Sequence, residues 1–327
     1  MEAEKGTVCV TGGTGYIGSW LIMRLLEQGY SVTTTVRYNP EPKKDLSFLT
    51  SLPGALERLK IFNADLSDPE SFRPAIEGCT GVFHVATPID FGNQESEEIV
   101  TKRSVHGAMG ILQACLDSKT VKKVVYTSSA ATVIVNGKHL DEMDESFWSD
   151  IDYVKSLNSD AASHIISKTL TEKAVLGFSE KHGLEVVTLI LSFVIGPFIC
   201  PKIPASVLSV FEMVFADPSE SSSLIRLDLV HVDDVARANI FLFENPEAKG
   251  RYNCSAKATP VESTSKLFST KYSELRMPSK GSEVKQRINY PSLSMKKLLD
   301  LGFQFKYGAE EMFDDTIKCC KEKARLQ

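Results

Sequence analysis

The stretch AASHIISKTLTEK, Ala161–Lys173, places His164 and Lys168 four residues apart in a helix-like run, so that both side chains share one helix face. An imidazole starts near a pKa of about 6.5, and an ammonium one turn away disfavours a second positive charge. Around neutral pH His164 is therefore expected to be mostly neutral. A neutral imidazole accepts a proton or donates a hydrogen bond, but it is a poor source of a full proton. Taken singly, each residue also reads as a solvated helix side chain, and only their register argues for chemistry.

A second constellation lies near the N-terminus. TGGTGYIGSW sets Gly12, Gly15 and Gly18 three apart, between a strand-like run and a helix-like one. Glycine lets the backbone turn tightly and approach a pyrophosphate, whose charge then meets the helix N-terminus. The glycine trio alone could be no more than a turn. With a strand before and a helix after, residues 12–18, including Tyr16 and Ile17, read as a dinucleotide phosphate loop. The second strand should then end with the residue that reads the adenosine ribose. It ends in Arg37, with Lys43 and Lys44 close behind. Cations there favour the 2′-phosphate of NADP(H) over the 2′-hydroxyl of NAD; solvated surface charges are the competing reading. Asp65, after IFNA, reads either as a partner of the adenine amino group or as a plain helix cap.

These groups need a frame. TVCVTG, YSVTTTVR, LKIFNAD, GVFHVA, KKVVYTSS and LEVVTLIL are short β-branched or apolar runs, separated for the most part by helical stretches such as Glu98–Ser118. Strands alternating with helices predict a parallel sheet covered on both faces, an α/β doubly wound (Rossmann) fold. Residues 1–191 are expected to form the dinucleotide-binding domain. Residues 192–327 are expected to form mainly a smaller substrate-binding C-terminal lobe, with strands in 231–254 as candidates to return to the sheet. Prolines 197, 201 and 204 and the loop DPSESSS suggest irregular structure after Leu191. The last thirty or so residues read as two short amphipathic helices around a Gly-containing turn.

Composition narrows the class. A net charge of −5 without a basic run argues against a nucleic-acid surface. No apolar run approaches the ~20 residues of a membrane helix, and the N-terminus carries no signal-like pattern. The seven cysteines lack metal-ligand spacing, so no metal is expected, and reduced thiols in a cytoplasmic protein are the expectation.

Taken together, VTGGTGYIGSWL, ADLSDPESF, VFHVATPIDF, VVYTSSAATV, SKTLTEKAV, VHVDDVARA and GRYNCS resemble the extended short-chain dehydrogenase/reductase family. The chain is most similar to its plant dihydroflavonol reductase and vestitone reductase group, over nearly the whole length. The resemblance implies an NADP(H)-dependent reductase of a carbonyl on a flavonoid- or alkaloid-like plant metabolite, working as a monomer or weak dimer on a small molecule. It implies Ser129 as the hydroxyl that stabilises the substrate oxygen, Lys168 as the lysine that holds the ribose, and Asp65 with Leu66 at the adenine. The family's catalytic tyrosine position is His164 here.

Other departures lie nearby. Ser192 stands where a proline near the nicotinamide is usual, Ile134 where the group often carries asparagine, and Asp228 where it carries glutamine. Several changes around one cavity fit a re-purposed pocket better than a single inactivating slip. Ketone reduction would need its proton from water, Ser129 or a residue such as Tyr153, whereas an iminium needs none. Besides a reductase, a cofactor-retaining isomerase or cyclase and a catalytically silent NADP-binding protein remain open.

Overall fold

The computed structural model of the chain describes residues 5–37, 45–88, 95–159, 161–215, 226–272 and 290–325. In chain order the first half comprises β1 (Lys5–Thr11), α1 (Tyr16–Glu27), β2 (Tyr30–Val36), α2 (Ser47–Thr50), α3 (Ala55–Arg58), β3 (Leu59–Asn63), α4 (Arg73–Ile76), β4 (Gly81–His84), α5 (Glu97–Ser118), β5 (Lys123–Ser129) and β6 (Glu142–Met143). The second half comprises α6 (Ile151–Ser156), α7 (Ala162–His182), β7 (Glu185–Leu191), β8 (Phe193–Ile195), α8 (Ala205–Phe215), β9 (Arg226–His231), α9 (Val232–Glu244), β10 (Gly250–Cys254), β11 (Lys257–Pro260), α10 (Val261–Lys271), β12 (Ser292–Leu293), α11 (Lys296–Asp300) and α12 (Ala309–Arg325).

Seven strands form one sheet in the order β10-β7-β5-β4-β1-β2-β3, and every pairing in it is parallel. Parallel strands need helical crossovers, which cover both faces, so both residue parities along a strand are apolar. Val8 and Val10 of β1 join the core beneath α1 and α9, where Leu21, Ile22, Leu25 and Leu26 are buried. Cys9 points the opposite way, into a second core with Ile111 and Leu112 of α5 and Val175 of α7. The same split separates Val82 from Phe83, Val124 from Val125 and Val186 from Val187. β1, β4, β5 and β7 thus each feed two cores, which makes the sheet doubly wound.

β10 lies beside β7 in this sheet, paired from Gly250↔Val187 to Cys254↔Leu191. A smaller sheet, β11-β9-β8, carries a third core with α8 and α12, including Ile195, Val210, Leu229 and Phe313. Asp233 and Asp234, at the start of α9, tie this part to the rest. Asp233 accepts from Trp20 and Arg24 of α1 and from the Tyr307 hydroxyl, while Asp234 accepts the backbone N–H groups of Lys306 and Tyr307.

Three sequence expectations change in detail. β3 stops at Asn63, so Asp65 lies in the following turn rather than at the strand end. The stretch after Leu191 holds β8 and α8 as well as loop. Pro204 stands just before α8, and Val207, Val210, Phe211 and Val214 recur at helical spacing on its buried side, a period that the surrounding prolines obscure. The last helix, α12, is 17 residues rather than short, because Met312, Phe313 and Ile317 seat it on the smaller core.

Gly12 adopts φ +75°, and a Cβ there would stand 3.0 Å from the Ala86 Cα. A Cβ on Gly18 would collide with the Gly12 carbonyl oxygen. Gly18→Ala is therefore expected to force the loop open, lowering stability by about 1–3 kcal/mol and dinucleotide affinity at least about tenfold, since the loss is at least ~1.4 kcal/mol of binding. Thermal melts and a fluorescence titration with NADPH measure both; unchanged affinity would show that the loop tolerates a side chain.

Candidate active site

Residues 12–18 bend between β1 and α1 with the Gly15 N–H bonded to the Gly12 carbonyl at 3.0 Å. Gly15 caps α1 without a side chain, and the first turn holds no acidic residue. The first-turn N–H groups, Tyr16 and Ile17 among them, therefore lack a side-chain acceptor and carry the positive end of the helix dipole. A cradle that a Cβ would fill, at a bare helix N-terminus, fits a pyrophosphate. The Tyr16 side chain turns away from the loop: its hydroxyl donates to the Gly196 carbonyl at 3.0 Å and its ring meets Phe198 edge-on.

Arg37 lies just past β2, exposed, with its Nε 3.4 Å from Asp65 Oδ2. The Ser67 backbone N–H bonded to Asp65 holds that carboxyl below the usual range, with Arg37 a smaller contributor. Leu66 is buried against α5, where a Cβ on Gly107 would come within 2.9 Å of it. Lys44 lies outside the described residues.

Leu66 also borders a small cavity shared with His84, Ala86, Thr87, Tyr126 and Lys168. Lys168, from the middle of α7, is 6% exposed. Its Nζ donates to the Thr127 carbonyl at 3.0 Å and to Thr87 Oγ1 at 3.4 Å, and sits 5.4 Å from the centre of the Tyr126 ring. Burial brings this ammonium down to about 8, against an opposing pull from Glu172 one turn further along the helix. Thr127 is two residues before Ser129, so the contact brings the end of β5 to α7. Ser129 itself is half-buried, and its Oγ accepts the Ala131 N–H at 3.3 Å as the strand ends.

His164 stands in the first turn of α7, one turn before Lys168. Its side chain is exposed at the surface although protein mass surrounds it on most sides. That surrounding mass, and Lys168 second, push the imidazole down to about 4. Deeper in, burial and then Lys168 bring His84 to about 3. Thr11 Oγ1 accepts the N–H groups of Val85 and Ala86, which leaves its own proton for His84 Nδ1 at 3.0 Å. Both imidazoles beside Lys168 are thus neutral at physiological pH.

The remaining predicted positions are placed as follows. Ser192 is buried between β7 and β8, with its N–H and hydroxyl both directed to the Cys254 carbonyl. A proline there would lack the N–H. Ile134 packs between the cluster of Val133 and Leu293 and that of Val154, Ile165 and Ile166. Asp228 is half-buried; its Oδ2 accepts the Leu293 N–H at 2.8 Å, and burial raises its carboxyl. Tyr153 is exposed, its ring over Gly137. Among the described residues no group of His, Cys, Asp and Glu is arranged for a metal, and no helix is long and apolar enough to cross a membrane. Sequence reasoning missed Thr87, Tyr126, His84 and Glu172 around Lys168. Only Glu172 had a local signal, continuing the spacing of four from His164 through Lys168.

A family model described as the NAD dependent epimerase/dehydratase family matches residues 8–255. Vestitone reductase of Medicago sativa is 55% identical over 328 residues, covering all of both chains. A noscapine synthase of Papaver somniferum is 48% identical, covering 100% of this chain and 95% of its own. A dihydroflavonol 4-reductase of Callistephus chinensis is 44% identical, covering 99% and 89%. The crystal structure of the alfalfa vestitone reductase superposes with a TM-score of 0.85 at 53% identity, covering 98% of this chain and 99% of that one.

The contact with Asp65 is made by the Arg37 Nε, and the exposed guanidinium retains its Nη groups for an anion such as a 2′-phosphate. Arg37→Ala is expected to weaken NADPH binding about tenfold or more and to leave NADH binding nearly unchanged. Parallel fluorescence titrations decide this, and equal losses for both cofactors would refute it.

Proposed function

The chain belongs to the NAD dependent epimerase/dehydratase family, as an NADP(H)-dependent oxidoreductase of the extended short-chain type in the plant dihydroflavonol reductase and vestitone reductase-like group, and on that premise we propose that it reduces a carbonyl or iminium group on a flavonoid- or alkaloid-like plant metabolite. Within that range the site favours the iminium. The observation that carries this choice is His164, a neutral imidazole where the family places its proton donor.

Residues 12–18 and Arg37 would hold the phosphates, Asp65 and Leu66 the adenine, and Lys168 the ribose next to the nicotinamide. When bound, the reduced cofactor supplies a hydride. A ketone that accepts hydride becomes an alkoxide and requires a proton. An iminium that accepts hydride at carbon moves its C=N pair onto nitrogen and is neutral without one. Ser129 can donate a hydrogen bond to a substrate heteroatom at the strand end. His164 is pushed down to about 4, so the imidazolium is scarce above about pH 5 and supplies almost no acid at neutrality. The ring remains able to accept or donate a hydrogen bond and so to orient the substrate. Reductase and synthase relatives that act on plant metabolites support the substrate class.

The signs of these shifts set a pH window. Above about 4 His164 is neutral, and below about 8 Lys168 is charged. Reduction of an iminium is expected to stay level across that window and to fall as Lys168 loses its proton above it. His164→Ala should then cost less than about tenfold in kcat, whereas loss of a general acid would cost about 10²–10⁴-fold. The measurement is NADPH consumption by the purified protein across a panel of plant iminium and ketone substrates, followed against pH. An activity that climbs toward low pH and loses that limb in His164→Ala would make His164 a working acid and overturn the choice of iminium. Product formed without consumption of NADPH would overturn the reductase.

A further inference from the structure

The third member of the His164, Lys168 and Glu172 row has a setting of its own. Glu172 is fully buried, yet both of its oxygens are engaged. Oε1 accepts from the Thr188 hydroxyl at 2.8 Å and from Arg251 Nε at 2.9 Å. Oε2 accepts from the Ser128 hydroxyl at 2.7 Å and from Arg251 Nη2 at 3.4 Å. The other guanidinium hydrogens are also placed: Nη1 donates to the carbonyls of Glu145 and Phe147, and Nη2 to the Thr132 hydroxyl. Trp148 covers the guanidinium at 3.6 Å from its ring centre. One buried ion pair therefore joins α7, β5, β7, β10 and the loop that leads toward α6. It holds Ser128, the immediate neighbour of Ser129, and it sits one helical turn below Lys168.

A buried ion pair is costly to desolvate, and well-packed apolar residues often serve stability as well. Fold stability alone is thus a weak reason for a carboxylate here. Lys168 gives a stronger one. Its hydrogen-bond partners, Thr127 and Thr87, are neutral. Among the described residues, the titratable groups around it are His84 from β4, Tyr126 from β5, and His164 and Glu172 from α7, with Arg251 of β10 behind Glu172. Of these only Glu172 offers an opposing charge. We propose that Glu172, clamped by Arg251, is a positioning residue that keeps the buried Lys168 ammonium charged and in register for the dinucleotide. This rests on the reading of Lys168 as the lysine that holds the cofactor ribose.

The test reads dinucleotide binding without substrate, so it is independent of the reaction proposed above. NADPH affinity of the full chain is titrated by fluorescence across pH. Wild-type affinity should fall above the Lys168 pKa of about 8. Without the Glu172 charge the ammonium is less stable, so Glu172→Gln should move this alkaline limb down by about one pH unit, a shift typical of removing a nearby opposite charge. Arg251 would then be left unpaired, so the double variant Glu172→Gln with Arg251→Met is measured alongside; it should shift the limb in the same direction but by less, because the Arg251 cation is removed together with the carboxylate. Glu172→Asp, which keeps the charge, should return the limb toward wild type whatever its thermal stability. A limb at the wild-type pH in either neutral variant, with only the melting temperature reduced, would make the pair purely structural and overturn the proposal. Lys168→Met separates the premise: the limb should vanish, and its persistence would show that the reading of Lys168 has failed.

Discussion

Thr11 and the ends of β1 and β4 impose the constraint on which the site depends. The winding of the sheet reverses between these two strands, in the order β5-β4-β1-β2, and open α/β sheets leave their ligand crevice at such a point. Thr11 Oγ1 closes the two strand ends together by accepting the N–H groups of Val85 and Ala86. Gly12 follows at once with φ +75° against the Ala86 backbone. That packing fixes the glycine loop over the crevice, and α1 leaves the loop with its N-terminus toward it. β2 and β3 run parallel to β1 and bring Arg37 and the Asp65 turn to the same edge of the sheet.

The opposite side of the crevice is governed by one buried charge. Burial first and Lys168 second depress both His84 and His164, and Lys168 is itself lowered by burial. An ammonium in such a place is sustained by carbonyl and hydroxyl oxygens and by an anion held at a set distance. The arrangement leaves one buried cation with neutral imidazoles around it. Under the proposed reading, proton supply at this site is weak, hydride transfer needs only placement, and His164 would orient the substrate.

The chain matches vestitone reductase over nearly the whole length of both with a TM-score of 0.85, and a shared scaffold does not by itself fix the reaction. Ile134, Asp228 and Ser192 have each been absorbed differently. Ile134 fills an apolar seam between the strand end and α7, Asp228 anchors the β12 backbone, and Ser192 is tied to β10. All three thus act on the framework, by packing or by backbone anchoring.

The sequence by itself determined the strand-helix alternation, the glycine loop and the spacing of His164 and Lys168, because each rests on local chemistry. Glycine at a tight turn, apolar periodicity in a crossover helix and a four-residue register are properties of a short window. Helix α8 and the length of α12 escaped such a window, since both are fixed by the apolar contacts of a core assembled from distant segments. The meaning of Glu172 escaped for the same reason. On a helix read in isolation, a glutamate four residues after a lysine is an ordinary surface pair. Only the tertiary structure brings Arg251 to it across 79 residues of chain, buries both, and so turns a charge that water would screen into one that acts on its neighbour.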